Sequence, residues 1–575
     1  MPQRKMWMPG LITTLLLLVA MLLSACGGGG ASSGNSGSAS NGSAPAPDDK
    51  QVFRWPQAAN SDFVSLDPGL IQYSDGNYIA RTIFSGLVAL DAKGVVVDQL
   101  AASHQVSPDG LTYTFTLRDN LKFSDGTPIT SQDVIYSINR TLDPATKSEV
   151  AFYFDLIKGY DEIQAGKVKT LIGSSLLAPD PKTVKIVISK PAGYFLAALT
   201  YTASSVVNKK LIDKYSTKWT DHMEEGGTVG PFKVQSYSHT TGLTVVPDSN
   251  YFGTKPKLKK IEFLLSGDLD TTYKGYQAGQ YDYTPIPPVN LDAAKSAKGF
   301  RTVPELNTWY LALNYLTPPF NNIKVRQAFA LAINKDLLNK SVNRGAHKPT
   351  NNIIPPNFPA YNPNIKGPDG TTSTSGNPDK AKQLLQEGLQ ELGIKSVADL
   401  PVLTFTNRNQ KLTQDIASAI IQQWQDNLGV KVKQDVLELA KFNDTIQAAQ
   451  NNPKGAQIWF AGWGADYSDP QDWLSVFFAK GVSNNQSNYG QNNSPAAAEQ
   501  QAVQKELQQA DASSNQEERF KLYQDAEQKI VNDVGWIPLY HRNINRLINP
   551  KVVSYELNGY DQLSAEQWAQ VYIAQ

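Results

Sequence analysis

The densest group of carboxylates among aromatic side chains lies at residues 459–473, which read WFAGWGADYSDPQDW. Asp466, Asp469 and Asp472 are residue types that bind metal ions or act as general acids and bases. Two of them have a structural explanation: Asp469 followed by proline is typical of a helix N-cap, and Asp472 then falls at the third helical position. We expect this helix to carry Leu474, Phe477 and Phe478.

Asp466 has no such local role. It lies beside Trp463, Gly464 and Tyr467, and a carboxylate is costly to bury among aromatic side chains without a cationic partner. That partner is either a lysine or arginine of the same chain or a cationic ligand. These residues by themselves leave both alternatives open.

Other patterns of catalytic and metal-binding residues are absent from the sequence. It contains no Walker A motif, no G-x-S-x-G nucleophile motif and no H-E-x-x-H zinc motif. The histidines do not pair at the spacing of metal ligands, so we expect surface or packing roles for them, and neither a metal nor a cofactor. They are His104, His222, His239, His347 and His541.

The amino-acid composition excludes several classes of protein. Lys and Arg total 53 and so do Asp and Glu, which gives the 575-residue chain no formal net charge and argues against a nucleic-acid binder. Hydrophobic residues make up 41% and aromatic residues 10%, enough to bury a large core. A single cysteine excludes a disulfide framework and a CxxC site within one chain.

The N-terminal residues have the pattern of an export signal. Residues 11–23 form an apolar run, shorter than the roughly 20 residues that a membrane-spanning helix needs. Leu23-Ser24-Ala25-Cys26 follows and resembles a bacterial lipobox, in which the cysteine is acylated and becomes the first mature residue. We therefore expect a signal peptide at 1–25, lipidation at Cys26 and a flexible Gly/Ser-rich linker at 26–50. The alternative is an ordinary signal peptide with a chance cysteine.

From residue 51 onward, patterns typical of strands and helices alternate. We expect a strand at 111–117, a turn at 122–128, and then a helix with Thr130 as N-cap and Asp133 at N3. Further helices are expected at 325–333, 379–392 and 516–532, and further strands at 310–314, 403–406 and 536–540. This mixture predicts an α/β protein with more than one lobe.

Residues 108–140 read PDGLTYTFTLRDNLKFSDGTPITSQDVIYSINR. This segment resembles the signature of the family 5 extracytoplasmic solute-binding proteins, the oligopeptide-, dipeptide- and nickel-binding proteins of ABC importers. Nearly every fixed position of the signature is present. Similar matches follow in the family's order between about residues 52 and 560, at 65–68, 83–88, 227–232, 250–253, 462–470 and 537–540.

The resemblance implies a three-lobed α/β fold of the class II periplasmic-binding-protein type, with a discontinuous lobe I and a cleft that closes about a hinge. Two crossing segments, near 303–308 and 530–536, would form that hinge. The implied boundaries are 51–95, 225–305 and 536–575 for the three parts of lobe I, 96–224 for lobe II and 306–535 for lobe III.

The resemblance also implies a ligand site between lobes I and III, where a peptide is held extended by main-chain hydrogen bonds. Asp466 matches the aspartate that pairs with the α-amino group of the peptide in peptide-binding members. By the same analogy, the residues that line the cleft are Trp463, Gly464 and Tyr467 from lobe III, and Gln72 and Tyr73 from lobe I.

The implied protein is a monomeric, extracytoplasmic solute-binding protein, anchored to the cell membrane by lipid and without enzymatic activity. It would deliver peptides to ABC permease subunits served by separate ATPases. Three alternatives stay open from the residues. One is a different solute within the same family, such as a nickel chelate, a glycan or a haem. Another is an anchored extracellular hydrolase that uses Asp466 with another carboxylate. The third is a receptor that reports its ligand to a signalling partner without transport.

Replacing the only cysteine tests the lipobox. We expect Cys26→Ala to release the protein from membranes or leave it unprocessed, because the acylation site is gone. Membrane fractionation with intact mass determination measures both outcomes. A variant that is still correctly cleaved and membrane-bound would show that Cys26 is not the anchor.

Overall fold

The computed structural model describes residues 44–57, 62–72, 74–491 and 496–575, with residues 74 and 75 described by their backbone alone. The predicted signal peptide 1–25, Cys26 and Tyr73 lie outside these residues. Within them, helices and strands form the three-lobed α/β architecture that the sequence predicts. No helix of the described residues combines the length and apolar character needed to cross a bilayer.

The strands in chain order are β1 (Val52–Gln57), β2 (Val88–Leu90), β3 (Val96–Asp98), β4 (Ala101–Val106), β5 (Thr112–Leu117), β6 (Leu176–Asp180), β7 (Thr183–Val187), β8 (Phe232–Ser238), β9 (Gly242–Pro247), β10 (Lys260–Leu265), β11 (Tyr283–Pro285), β12 (Phe300–Leu313), β13 (Lys348–Pro349), β14 (Leu403–Arg408), β15 (Val432–Leu437), β16 (Ile458–Gly464), β17 (Ile537–Ile548), β18 (Val552–Val553) and β19 (Tyr572–Ile573).

The α-helices are α1 (Ser74–Ile83), α2 (Ser131–Leu142), α3 (Tyr160–Gln164), α4 (Phe195–Ala198), α5 (Lys209–Tyr215), α6 (Leu269–Gln277), α7 (Leu291–Ala294), α8 (Ile323–Leu331), α9 (Lys335–Ser341), α10 (Pro378–Glu391), α11 (Lys411–Leu428), α12 (Leu439–Gln447), α13 (Ser475–Phe478), α14 (Ala497–Ala512), α15 (Gln516–Asn532) and α16 (Ala565–Gln570). The expected helices at 325–333, 379–392 and 516–532 correspond to α8, α10 and α15.

Lobe I is built around the four-stranded sheet β1-β10-β9-β8, in which β1 and β10 run parallel. Its apolar core brings together Phe53, Phe263 and Trp568, which lie near the start, middle and end of the chain. The lobe is therefore discontinuous in sequence. Side chains from the end of the range expected for lobe II, including Trp219 and Met223, also pack in this core.

Lobe II contains the sheet β4-β5-β7-β6 with α2 packed beside it. The expected strand at 111–117 is β5, and the expected cap of the following helix is confirmed. The backbone N–H of Thr130 donates to Asp133 Oδ2 at 2.8 Å, and the Thr130 side chain faces the backbone N–H of Asp133 in return, which completes the capping box.

Lobe III is organised by a larger sheet in the order β11-β17-β12-β16-β14-β15, with β13 paired to β17. Helices α8, α10 and α11 contribute the residues of one core, among them Val325, Leu385 and Trp424. A second core, which contains Trp473, Phe478 and Tyr523, is built largely from the residues after β16. The strand β16 thus lies between two well-packed regions.

The long strands β12 and β17 pair antiparallel and run between lobes. The residues near the start of β17, including Ile537 and Leu539, pack in the core of lobe III, whereas Ile548 at its end packs in the core of lobe I. The expected lobe boundary at 535–536 therefore falls before a strand that belongs to both. The pairing is interrupted between Pro304 and Thr308, within the crossing segment expected at 303–308.

The described start of the chain is packed rather than free, which differs from the linker expected as far as residue 50. The N–H of Ala46 donates to the carbonyl of Ile573 at 2.8 Å, and the Gln51 side chain both donates to and accepts from Ile573. A bridge between Pro45 and Ala574 adds to this contact. Backbone groups near the C-terminus thus hold the first described residues against lobe I.

A buried ion pair joins lobe I to lobe II. Asp67 is 5% exposed and accepts two hydrogen bonds from Arg140 of α2, at 3.0 and 2.5 Å. It also accepts from the Trp219 indole at 2.9 Å and from the N–H of Gly69 at 3.0 Å. Asp67 thus satisfies four donors, and its removal would leave the Arg140 charge buried without a partner.

We expect Asp67→Ala to lower the free energy of unfolding by roughly 3–5 kcal/mol, the typical cost of breaking a buried ion pair by removing one partner. Urea denaturation followed by tryptophan fluorescence measures the loss. Asp213→Ala is the matched control, because its pair with Lys209 is exposed and such pairs contribute little. Equal effects of the two substitutions would contradict this role for Asp67.

Candidate ligand-binding site

Strand β16 fixes the backbone of the predicted site. Thr308 of β12 lies opposite Trp463, and Asn307 lies opposite Gly464. The N–H of Ala465 then donates to the carbonyl of Leu306 at 2.8 Å, just beyond the end of the strand. Asp466 follows immediately, so a central strand of the sheet determines where its carboxylate can reach.

A short 3₁₀ turn, Pro470–Asp472, follows Asp466 and is capped as the sequence predicts. Asp469 accepts the N–H of Gln471 at 2.9 Å. It also receives two hydrogen bonds from the Arg519 guanidinium, at 2.6 and 2.5 Å, in a buried pair. The helix that carries Phe477 and Phe478 begins later than expected, as α13.

Asp472 does not have the helix-starting role that its position predicts. It closes the 3₁₀ turn, and its Oδ2 accepts the backbone N–H of Asp466 at 2.8 Å. The reason is the tight turn, which brings the side chain of Asp472 back over the preceding residues. Its carboxyl group is fully buried and holds Asp466 in place.

The carboxylate of Asp466 lies where all three lobes meet. The hydroxyl of Tyr153, in a 3₁₀ turn of lobe II, donates to Asp466 Oδ2. Arg81 of α1, in lobe I, is near enough to lower the pKa of Asp466 through its positive charge. Desolvation outweighs both effects and raises that pKa to about 7, although part of the side chain surface stays exposed.

Neither charged group of this arrangement is fully satisfied. Asp466 forms no ion pair with any described residue, and the buried Nε atom of Arg81 has no hydrogen-bond acceptor among them. The Arg81 guanidinium donates to the carbonyl of Thr200 at 3.4 Å, which is a long contact. A polar group of a ligand, and an ammonium group in particular, would supply the missing partner of Asp466.

The structure brings together most, but not all, of the residues expected at the site. Trp463 packs edge-to-face on Phe477 at 4.7 Å between ring centroids, and it is partly exposed, as is Gly464. Tyr467 is 1% exposed, and its ring meets that of Tyr153 at 5.7 Å within the core of lobe II. Gln72 is exposed just before α1.

Sequence reasoning missed the partners that lobes I and II contribute. Tyr153 lies 313 residues before Asp466, and no local pattern marks it as a partner. Tyr201 is a second buried tyrosine of lobe II whose pKa is raised, first by desolvation and then by the charge of Asp466. Arg81 lies in α1, and no pattern in the sequence distinguishes it from the other arginines.

One group of potential metal ligands exists among the described residues. The ligand atoms of His222, Glu224 and Glu225 lie within 4.8 Å of one another on the surface. Glu225, however, already accepts hydrogen bonds from Lys214 at 2.7 Å and from Tyr215 at 2.5 Å. This group therefore provides no dedicated metal site.

We expect EDTA to leave the thermal unfolding midpoint unchanged, because Glu225 is satisfied by protein donors rather than by an ion. Differential scanning calorimetry with and without chelator makes the comparison. A clear fall in the midpoint that added divalent cation restores would reveal a structural metal.

Comparison with known proteins gives consistent matches along the chain. The profile of the bacterial extracellular solute-binding proteins, family 5, matches residues 95–485. The oligopeptide-binding protein OppA of Bacillus subtilis is 28% identical over 485 residues, covering 83% of this chain and 85% of its own. The periplasmic oligopeptide-binding protein OppA of Salmonella typhimurium is 30% identical over 532 residues, which cover 89% of this chain and 91% of the relative.

A solved structure gives the same result at the level of the fold. That of OppA from Burkholderia pseudomallei superposes with a TM-score of 0.76 at 25% identity, covering 92% of this chain and all of the other. The similarity thus extends over all three lobes rather than one of them.

Proposed function

This chain belongs to family 5 of the bacterial extracellular solute-binding proteins, and on that premise we propose that it captures peptides for an ABC importer. The ligand is an oligopeptide or dipeptide with a free amino terminus, held between lobes I and III. The family consists of solute-binding proteins rather than enzymes, and the proposed role involves no chemistry on the bound peptide.

The observation that carries this proposal is the unpaired carboxylate of Asp466. It is desolvated, yet among the described residues the hydrogen-bond donor that reaches it from another lobe is the neutral hydroxyl of Tyr153. A peptide ammonium would provide both charge and hydrogen bonds at this point. Because the partners come from different lobes, a ligand bound here favours the closed arrangement over the open one.

The proposal includes a lipid anchor and delivery to a permease. The lipobox around Cys26 supports the anchor, and the Gly/Ser-rich residues that follow it would let the body move near the membrane. The absence of a Walker A motif in the sequence supports separate ATPase chains. We propose that the protein acts as a monomer on the outer face of the cell membrane.

Native mass spectrometry with an equimolar mixture of alanine peptides, two to six residues long, tests peptide capture directly. Intact peptide bound to the protein supports the proposal. Shortened peptides in solution would instead indicate a hydrolase that uses Asp466 with a second carboxylate, and failure to bind any peptide would point to another solute.

We expect Asp466→Ala to weaken peptide binding by about two to three orders of magnitude, because removing one partner of a buried charge pair costs about 3–5 kcal/mol. N-acetylated peptides should bind the native protein equally poorly, since they lack the cation. Isothermal titration calorimetry with free and acetylated forms of one alanine peptide measures both effects.

Asp444→Ala is the control for this experiment, because Asp444 is exposed on α12. The fold should survive the Asp466 substitution, since Asp469 keeps its cap and its pair with Arg519. Equal affinity of the native protein for free and acetylated peptide would mean that Asp466 does not hold an amino terminus.

A further inference from the structure

One side chain of lobe III is buried in the core of lobe II. Tyr467, the residue after Asp466, is 1% exposed and packs in the lobe II core, whose other buried members lie between Leu87 and Val229. Its ring centroid is 5.7 Å from that of Tyr153, and the two ring planes are nearly perpendicular. Aromatic pairs favour this edge-to-face geometry. An aromatic ring thus crosses the boundary between two lobes.

Other residues add to this contact from both sides. Phe152 of lobe II packs against the lobe III core that contains Trp473 and Phe478. The guanidinium of Arg519, in lobe III, lies over the ring of Tyr194, in lobe II, at 5.9 Å from its centroid. Lobes II and III therefore meet over a largely aromatic surface, into which Tyr467 is inserted.

The position of Tyr467 is fixed by its own lobe. Its hydroxyl donates to Gln471 Oε1, and its carbonyl accepts the N–H of Asp469 at 2.9 Å. Asp469 in turn is held by the buried pair with Arg519. The ring is thus ordered by lobe III, and an ordered side chain loses little conformational freedom when it is buried against a second lobe. Tyr467 moves with lobe III, whereas the residues that surround its ring move with lobe II.

Tyr153 connects the Tyr467 ring to the ligand site. Its hydroxyl donates to Asp466 Oδ2, while its ring contacts both Tyr467 and, at 4.5 Å between centroids, Tyr201. A movement of lobe II towards lobe III that buries Tyr467 therefore also brings the Tyr153 hydroxyl to Asp466. Separation of the two lobes breaks this hydrogen bond and exposes the Tyr467 ring to water, which disfavours the separated state.

We propose that Tyr467 is a latch between lobes II and III, whose ring enters the lobe II core when the cleft closes over a peptide and leaves it when the cleft opens. It is a positioning residue that acts on the ligand site through Tyr153. This role differs from the cleft-lining role that the resemblance implies for Tyr467. The inference rests on the proposed function and adds to it the residue that sets how long a peptide stays bound. Any change in the closed fraction changes the apparent affinity by the same factor.

Hydroxyl-radical footprinting with mass spectrometry reports the exposure of the Tyr467 ring directly. In the native protein without peptide, we expect Tyr467 to be oxidised, whereas Tyr523, which is 0% exposed within lobe III, stays protected. Saturation with the alanine peptide that binds most tightly should protect Tyr467 as well. If Tyr467 is as protected as Tyr523 before any peptide is added, the contact does not open and the latch is overturned.

Two substitutions separate the ring from the hydroxyl. Tyr467→Ala should weaken binding of the same peptide by about tenfold or more, through faster dissociation at a nearly unchanged association rate. Tyr467→Phe should bind as the native protein does, because the hydrogen bond to Gln471 lies within lobe III and is present in both states. Tyr361→Ala is the control, since this partly buried tyrosine packs within lobe III. Stopped-flow tryptophan fluorescence measures both rates.

A double-mutant cycle with Tyr153→Ala tests the connection to the ligand site. Because both tyrosines act through one contact, the double variant should lose less affinity than the product of the two separate losses. Separate losses that simply multiply would overturn the connection. Equal dissociation rates of the native protein and Tyr467→Ala would overturn the latch while leaving peptide capture intact. Oxidation of Tyr467 in the native protein, together with failure of every alanine peptide to bind, would instead support the opening of this contact and contradict the proposed peptide ligand.

Discussion

Backbone pairing between β12 and β17 is the interaction on which the arrangement of the lobes depends. One end of β17 packs in the core of lobe III, and its other end pairs with β11 and packs in the core of lobe I. On the opposite side, β12 pairs with β16, the strand that ends at Gly464. The same hydrogen-bonded ladder therefore connects two lobes and places Asp466 at their junction. Its register shifts between Pro304 and Thr308, within one of the two segments that the resemblance implies as the hinge.

At that junction, desolvation dominates the chemistry. Tyr153 and Arg81 both favour the ionised form of Asp466, yet its pKa is still raised to about 7. Asp469, only three residues further on, shows the opposite situation, because the buried guanidinium of Arg519 satisfies it fully. Neighbouring carboxylates of one short segment thus differ in whether the protein supplies the cation, and this difference is the basis of the ligand-binding role proposed for Asp466.

Local signals in the sequence predict much of the fold and part of the site. The capping box of Thr130 and Asp133, the cap at Asp469 and the helix of residues 516–532 all follow from spacing within one or two turns. The role of Asp472 was not predictable in this way. It depends on a 3₁₀ turn in place of the first turn of an α-helix, and thus on how the segment packs rather than on its residue types. Tyr153 and Arg81 reach Asp466 only through the assembly of three lobes.

The contact between the two described ends of the chain has a consequence for how the molecule can be handled. The N–H of Gln575 donates to the carbonyl of Ala44 at 3.1 Å, and the Gln51 side chain bridges the two segments from within. Anything joined before Ala44 and anything fused after Gln575 therefore leaves the body from one small patch. A reporter domain attached at the C-terminus would share that patch with the chain that precedes Ala44, whereas a circular permutant could close the gap with a very short loop.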